Sequence, residues 1–119
     1  FEVEDNAVYT APANEMLLGW VFENIIKNAV DAMKGSGEVV LRIRNDIKTL
    51  AIDIEDTGKG IQKKDFRNIF KPGFSTRERG WGLGLSLSKR IVEAYHKGQI
   101  FVRYSEPGKG TCMRVVLKK

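Results

Sequence analysis

The chain has 119 residues, of which 42% are apolar, 29% charged and 9% aromatic. This composition predicts one globular domain with a hydrophobic core and excludes a disordered tail, and no apolar run approaches the roughly 20 residues that cross a bilayer. Twenty basic against fifteen acidic residues give a net charge of +5, which favours acidic partners such as nucleic acid, anionic lipid or a phosphate-bearing ligand.

Single cysteine and histidine residues narrow the possible chemistry. Cys112 alone excludes an intramolecular disulfide and a cysteine-rich zinc site, and it is compatible with a reducing compartment. His96 alone excludes a histidine triad or a histidine metal cluster, and its place at a predicted helix end favours a capping role. The chain opens without an initiator methionine or a signal peptide, so we expect a piece of a longer protein.

The first predicted element is a long helix. Apolar residues recur at helical spacing from about Asn14, a candidate cap, to Met33, and Gly35-Ser36-Gly37 would end the helix. We expect Trp20 and Phe22 on this helix to lie in the core rather than in a ligand site.

A hairpin and a long loop follow the helix. Glu38–Arg44 and Leu50–Glu55 alternate between apolar and polar residues, which predicts two strands joined by a turn. From Asp56 to Gly84 the chain is rich in glycine and basic residues, with at most a short helix around Lys63–Phe70. A loop of this length in a compact domain is typically functional or disordered.

The last part of the chain predicts a second helix and a second hairpin. The helix spans roughly Leu85 to His96, with Gly98 in the position of a C-cap. Gln99–Ser105 and Thr111–Lys118 form another alternating pair. Helices and antiparallel hairpins in this order predict an α+β fold, a two-layer sandwich with the helices on one face of a mixed, mostly antiparallel sheet.

Four polar residues share one stripe of the long helix, with i, i+3, i+4 and i+7 spacing: Asn24, Lys27, Asn28 and Asp31. Such a stripe is usually a solvated face. Asparagine is a poor helix former, however, so the two asparagines favour a function. Amide oxygens ligate hard cations, and lysine supplies charge for a phosphate.

Three glycine motifs could shape a ligand site. Asp56-Thr57-Gly58-Lys59-Gly60 follows a strand, and it is either a polar turn or a fixed carboxylate that accepts a hydrogen bond from an exocyclic amine such as that of adenine. Gly80-Trp81-Gly82-Leu83-Gly84-Leu85-Ser86 runs into a helix, where backbone N–H groups favour an anion. Gly108-Lys109-Gly110-Thr111 alone is an ordinary turn, although its threonine could hold a water molecule at the base of a purine pocket.

Together and in this order, the motifs resemble the ATP-binding catalytic domain of sensor histidine kinases, from the superfamily that includes gyrase, chaperone and mismatch-repair ATPases. The resemblance covers about Met16 to Leu117 and rests on an asparagine box (Phe22–Met33), a first glycine box (Asp56–Ile61), a phenylalanine box (Ile69–Thr76) and a second glycine box (Gly80–Ser86). It implies a single Bergerat-type domain over residues 1–119, with ATP beneath a lid of about residues 62–82.

The resemblance also implies roles for particular residues. Asn28 would ligate Mg²⁺, Asn24 would bind phosphate or metal-bound water, and Lys27 would meet the phosphates. Asp56 would receive the adenine amine, which Thr111 would support through water. The expected ATP-binding residues are Asn24, Lys27, Asn28, Asp31, Asp56, Gly58, Gly60, Ile61, Phe70, Gly80, Gly82, Leu83, Gly84 and Thr111, and the expected catalytic residues are Asn24, Lys27, Arg77 and Arg79.

Position 24 indicates the reaction class. ATPase relatives generally carry a glutamate four residues before the metal asparagine, as a base that activates water. Asn24 cannot accept a proton at neutral pH, and the helix turns Glu23 about 100° away from the stripe. We therefore expect phosphoryl transfer rather than hydrolysis, with the nucleophile supplied by another domain.

The resemblance implies a cytoplasmic histidine kinase fragment that binds ATP or ADP. Its expected partners are the dimerisation and histidine phosphotransfer domain of the same protein and a response regulator, with no nucleic acid and no direct membrane contact. Without the acceptor domain, no autophosphorylation is expected. The alternatives are a superfamily ATPase or a serine-directed protein kinase with the same pocket, and a non-catalytic basic module that binds nucleic acid.

Overall fold

The computed structural model describes residues 2–3, 15–34, 36–72 and 84–118. The helical segments are α1 (Glu15–Met33), two 3₁₀ turns (Lys63–Asp65 and Asn68–Phe70) and α2 (Gly84–Arg90), which continues as a π-helical turn (Ile91–Tyr95). The strands are β1 (Glu2–Val3), β2 (Val39–Asn45), β3 (Thr49–Asp56), β4 (Gln99–Glu106) and β5 (Gly110–Lys118). Both predicted helices and both predicted hairpins are confirmed, and the short predicted helix near residue 63 is a pair of 3₁₀ turns.

The strands form one sheet in the order β1-β2-β3-β5-β4. β1 runs parallel to β2, whereas the other neighbouring strands are antiparallel. The core lies between the sheet and the helices, where Val21 and Ile25 of α1 and Val92 of the π-helical turn join Ile54 of β3 and Val115 of β5. The predicted sandwich, with helices on one face of a mixed and mostly antiparallel sheet, is confirmed.

A charged cluster occupies the other face of the sheet. Asp53 of β3 is buried, and its carboxylate accepts hydrogen bonds from Nε and Nη2 of Arg114 at 2.6 and 2.8 Å and from Nη1 of Arg103 at 2.9 Å. Asp53 and Arg114 are also register partners on adjacent strands. The paired charges let β3 bury a carboxylate away from the helical layer.

The second helix ends differently from the prediction. Lys97, with φ of 51°, adopts the left-handed conformation that is typical of a helix C-cap, the role predicted for Gly98. Lys34 has the same conformation at the end of α1, with φ of 52°. Gly98 is required for space instead, because a Cβ there would lie 2.1 Å from the carbonyl oxygen of Val116. The capping role of His96 is confirmed, since its Nδ1 lies 2.9 Å from the Ile91 carbonyl oxygen.

The two aromatic residues of α1 differ in burial. Phe22 packs against the core as predicted. The prediction for Trp20 is wrong, since this residue is 39% exposed. Among the described helices, none has both the length and the hydropathy that a membrane span requires.

Replacing Gly98 by alanine should lower the free energy of unfolding by about 1–3 kcal/mol, the usual cost of overpacking, because the new Cβ would collide with the backbone of β5. Urea denaturation followed by circular dichroism measures this change. Gly19→Ala is the matched control: nothing lies within 4 Å of a Cβ at this helical position, so the variant should be more stable by up to about 1 kcal/mol. Equal midpoints for the two variants would contradict the steric account.

Candidate nucleotide site

The asparagine stripe of α1 meets the start of α2. Asn24 Nδ2 donates a hydrogen bond to Ser88 Oγ at 3.3 Å, and Ser88 Oγ donates to the Gly84 carbonyl oxygen at 2.8 Å. A Cβ at position 84 would lie 2.6 Å from Asn24 Oδ1, so only glycine lets the α2 backbone approach so closely. The structure therefore brings together two motifs that are about 60 residues apart in sequence.

Ser88 determines which way the Asn24 amide faces. The Ser88 hydroxyl has one hydrogen, which goes to the Gly84 carbonyl, so only its lone pairs remain for Asn24. The Asn24 N–H₂ group must then point to Ser88, with Oδ1 on the other side of the amide. Ser88 has no exposed surface, so water does not compete for these bonds.

The first glycine motif packs against the last turn of α1. A Cβ on Gly58 would lie 2.8 Å from the Cβ of Ala32, and the Lys59 N–H donates to the Ala32 carbonyl oxygen at 3.1 Å. Gly60 has φ of +77° and lies directly against the Glu106 carbonyl. The motif is thus fixed between α1 and the turn that joins β4 to β5.

Asp56, the last residue of β3, is the buried carboxylate of this site. Its exposure is 8%, and its Oδ1 accepts a hydrogen bond from the Gly58 N–H at 2.8 Å. Burial raises the pKa of Asp56 above its ordinary value of 3.8, and the charge of Glu55 acts in the same direction. Hydrogen bonds from the backbone N–H groups of Gly58 and Thr111 offset only part of that rise.

Thr111 pairs with Asp56 across β3 and β5, and it is 6% exposed. Its Oγ1 lies 2.7 Å from Ser105 Oγ on β4. Ser105 Oγ also accepts the Ile61 N–H at 2.7 Å and donates to the Gly110 carbonyl oxygen at 2.9 Å. A hydroxyl network therefore links the first glycine motif to the start of β5.

The remaining predicted residues on α1 are more accessible than Asp56. Lys27 is exposed, and its Nζ forms an ion pair with Glu23 Oε1 at 3.1 Å. Asn28 is half-buried one turn beyond Asn24, and Asp31 is exposed near the end of the helix. Asn24 and Asn28 therefore lie closer to the protein interior than Lys27 does.

Of the other predicted residues, the structure describes two, Ile61 and Phe70. Ile61 packs against the core, and Phe70 is buried in it with the Lys89 ammonium 5.5 Å from the centre of its ring. The predicted residues that lie outside the described part of the chain are Arg77, Arg79, Gly80, Gly82 and Leu83.

Sequence reasoning missed Ser88 and Ser105, which connect the predicted residues. Each has a weak signal in the sequence, because Ser88 falls one helical turn after Gly84 and Ser105 falls at the end of an alternating strand. Only the distances between strands and helices show that their hydroxyls contact the predicted residues Asn24 and Thr111.

The opposite pKa shifts of the two buried aspartates of β3 can be measured. Relative to the wild-type protein, Asp56→Asn should gain free energy of unfolding as the pH rises from about 4 to about 7. The raised pKa means that the folded wild-type protein holds the Asp56 proton more tightly than the unfolded chain does, so ionisation opposes folding in this window, and the amide does not titrate. Urea denaturation over a pH series measures the difference.

Asp53→Asn is the matched control for this pH series. Burial acts to raise the pKa of Asp53, but the hydrogen bonds and positive charges of Arg114 and Arg103 outweigh burial and lower it below 3.8. Its stabilising contribution is then fully present above the unfolded pKa and is lost only as the pH falls through the folded one, so the variant should show a nearly constant deficit from about pH 5 to about pH 7. A flat pH dependence for both variants would contradict the assigned shift of Asp56.

Comparison with known proteins shows the family to which the chain belongs. The family model described as "Histidine kinase-, DNA gyrase B-, and HSP90-like ATPase" matches residues 13–119. Sporulation kinase C of Bacillus subtilis (strain 168) is 36% identical over 117 residues, which cover 98% of this chain and 26% of that protein. Signal transduction histidine-protein kinase AtoS of Escherichia coli (strain K12) is 40% identical over 114 residues, which cover 95% of this chain and 18% of that protein.

Solved structures agree with this result. The catalytic domain of histidine kinase ThkA has the same fold, with a TM-score of 0.84 at 24% identity over 99% of this chain and 77% of that one. Full-length ShkA in complex with AMPPNP gives a TM-score of 0.78 at 27% identity over 88% of this chain and 22% of that one.

The chain belongs to the histidine kinase-, gyrase B- and HSP90-like ATPase family, and its relatives and fold place it with the catalytic domains of the histidine kinases. It spans about a quarter or less of the length of the curated relatives named above.

Proposed function

We propose that this chain binds Mg²⁺-ATP and donates the γ-phosphoryl group to a histidine on a separate dimerisation and phosphoacceptor domain. The proposal extends to two-component signalling, in which a response regulator then receives the phosphoryl group. Family membership, the name of AtoS as a histidine-protein kinase and the binding of AMPPNP by ShkA support it. ADP would occupy the same site after transfer.

The nucleobase would bind between the first glycine motif and the start of β5. Asp56 offers a buried carboxylate, which accepts a hydrogen bond from an exocyclic amine more strongly than a neutral group does. Thr111 lies beside it, and Gly58 and Gly60, whose backbones pack directly against Ala32 and Glu106, would line the ring. This part of the site would therefore select a purine that carries an amine.

The phosphates and the metal would lie along the asparagine stripe. The donor set suits Mg²⁺, because this ion takes oxygen ligands and usually combines one or two protein oxygens with phosphate oxygens and water. Asn28 would supply an amide oxygen, and Asn24 would bind phosphate or metal-bound water. When bound, the ion would neutralise charge on the phosphates. Among the described residues there is no cluster of three acidic, histidine or cysteine side chains that could hold a metal without the nucleotide.

Lys27 is available to the phosphates despite its ion pair. Lys27 and Glu23 are 65% and 64% exposed, and such surface pairs contribute only about 0–1 kcal/mol. Exchanging Glu23 for a phosphate therefore costs little. We propose that Arg77, Arg79, Gly80, Gly82, Leu83 and Gly84 complete the phosphate site, within and beside a lid of about residues 62–82 that the buried Phe70 would anchor.

The proposal of phosphoryl transfer rather than ATP hydrolysis rests on the amide side chain at position 24. Its amide has no proton-accepting capacity at neutral pH, and Ser88 fixes its N–H₂ group in place. The neighbouring Glu23 points to solvent, where it pairs with Lys27. With no general base at this position, the domain would position ATP and neutralise charge, and the acceptor histidine would supply the nucleophile that displaces ADP.

The setting of the proposed reaction follows from its reactants. A donor domain that uses cellular ATP and works with a response regulator belongs in the cytoplasm, and we propose that location for this chain. The proposal includes neither nucleic acid nor direct membrane contact as a partner.

Asp56→Asn should weaken Mg²⁺-ATP binding by about 10- to 150-fold, the range of 1.5–3 kcal/mol that a hydrogen bond to a charged group typically contributes. If the asparagine oxygen keeps the bond to the Gly58 N–H, the amide N–H₂ faces the adenine amine, donor against donor. Isothermal titration calorimetry measures the affinity. Asp53→Asn removes a carboxylate from the opposite face of the sheet and should leave the affinity unchanged, whereas unchanged affinity in Asp56→Asn would overturn the adenine assignment.

Incubation with γ-labelled ATP tests the reaction itself. The chain should transfer label to a separately supplied dimerisation and phosphoacceptor domain, and it should acquire no label and release little phosphate when incubated alone. An acceptor domain whose histidine is replaced by alanine is the control and should stay unlabelled. Rapid phosphate release by the chain alone would instead indicate an ATPase, and label on serine would indicate a serine-directed kinase.

A further inference from the structure

Ser105 is the third member of a row that crosses three strands. Asp56 on β3 pairs with Thr111 on β5, and Thr111 pairs with Ser105 on β4. The row ends at Ile61, whose N–H donates to Ser105 Oγ at 2.7 Å. Ser105 therefore touches both the threonine beside the buried carboxylate and the loop that follows the first glycine motif.

The direction of each hydrogen bond at Ser105 follows from its partners. The Ile61 N–H can only donate, and the Gly110 carbonyl oxygen, 2.9 Å away, can only accept. A serine hydroxyl has one hydrogen and two lone pairs, so its hydrogen goes to Gly110 and one lone pair goes to Ile61. One lone pair remains for the contact of 2.7 Å with Thr111 Oγ1, and Thr111 must therefore be the donor in that bond.

This assignment fixes what Thr111 can offer a ligand. With its hydrogen held by Ser105, the Thr111 hydroxyl presents only lone pairs to other groups. The neighbouring Asp56 carboxylate also accepts hydrogen bonds. The two side chains thus form an end wall of the site that accepts hydrogen bonds and donates none.

We propose that Ser105 is a positioning residue that sets the nucleobase specificity of the site, by holding Thr111 as an acceptor so that the site takes a 6-amino purine and rejects a 6-oxo purine. This inference rests on the proposed function, because it assumes that a purine nucleotide binds beside Asp56.

The chemistry of the two purines explains the selection. The selection acts at the 6-substituent: an amine offers hydrogens to this wall, whereas an oxo group places an acceptor oxygen against side chains that have no hydrogen to give. Ring nitrogen N1 changes in the opposite sense, from an acceptor to an N–H donor, so the inference requires that the wall meet the 6-substituent and that N1 face water. A buried acceptor left without a donor costs binding free energy, so the site discriminates by the hydrogen bond it cannot make. Without the Ser105 hydroxyl, Thr111 is free to turn and donate to the 6-oxo group or to a bridging water molecule.

The test compares the affinities of ATP and inosine triphosphate, which differ only in the 6-substituent and the protonation of the adjacent ring nitrogen. Calorimetry with Mg²⁺ on the wild-type chain and on Ser105→Ala gives the ratio of the two dissociation constants for each protein. We expect Ser105→Ala to reduce the preference for ATP by about fivefold or more, the factor that one hydrogen bond typically controls. Weaker anchoring of Ile61 would affect both nucleotides alike, so the ratio isolates the effect on the base.

A second pair of variants separates the hydroxyl from the shape of the side chain. Ser105→Thr keeps the hydroxyl and should retain the wild-type preference, whereas Ser105→Val has nearly the same shape without the hydroxyl and should lose it. Thermal unfolding of each variant establishes that it is folded before titration. Equal preferences in the threonine and valine variants, or an unchanged preference in Ser105→Ala, would overturn the inference. Failure of the wild-type chain to bind ATP would instead overturn the proposed function.

Discussion

The rest of the site depends on the burial of one carboxylate at the end of a central strand. Asp56 lies in the interior with hydrogen bonds from backbone N–H groups, whereas Asp53 on the same strand has two arginines beside it. The contrast shows how one strand serves two purposes. On the outer face of β3, the charge of Asp53 is neutralised by arginines and stabilises the sheet. On the inner face, the Asp56 carboxylate has no cation beside it among the described residues and would accept hydrogen bonds from a ligand.

Two serines act on this site in the same way. Ser88 and Ser105 each give their single hydrogen to a backbone carbonyl, and each thereby decides how its neighbour, Asn24 or Thr111, is oriented. Because the backbone carbonyls are fixed by secondary structure, the direction of these bonds is fixed as well. The fold thus determines the polarity of the two side chains that would face the nucleotide, in addition to their positions.

Much of this architecture could be predicted because its signals are local. Alternation in β3 and β5 and helical spacing in α1 depend on residues close together in sequence, and the order of the glycine motifs indicated the family. Close contacts between distant residues, and the burial of particular side chains, could not be predicted in this way. Gly98 resembled a helix cap, but it is required by a carbonyl of β5 about 18 residues away, and Trp20 is exposed although its size favours burial. The roles of the two serines likewise depend on distances that no local pattern contains.

The close approach of Gly84 to Asn24 also bears on how such domains diverge. A glutamate at position 24 would extend one methylene further toward a backbone that already lies against the asparagine amide, and its carboxylate would need a donor from Ser88, whose hydrogen is held by the Gly84 carbonyl. Acquiring a water-activating base would therefore require compensating changes in α2 as well as the substitution itself. Residue 24 and the backbone of α2 are therefore coupled, so that the effects of substitutions at the two places would not be additive.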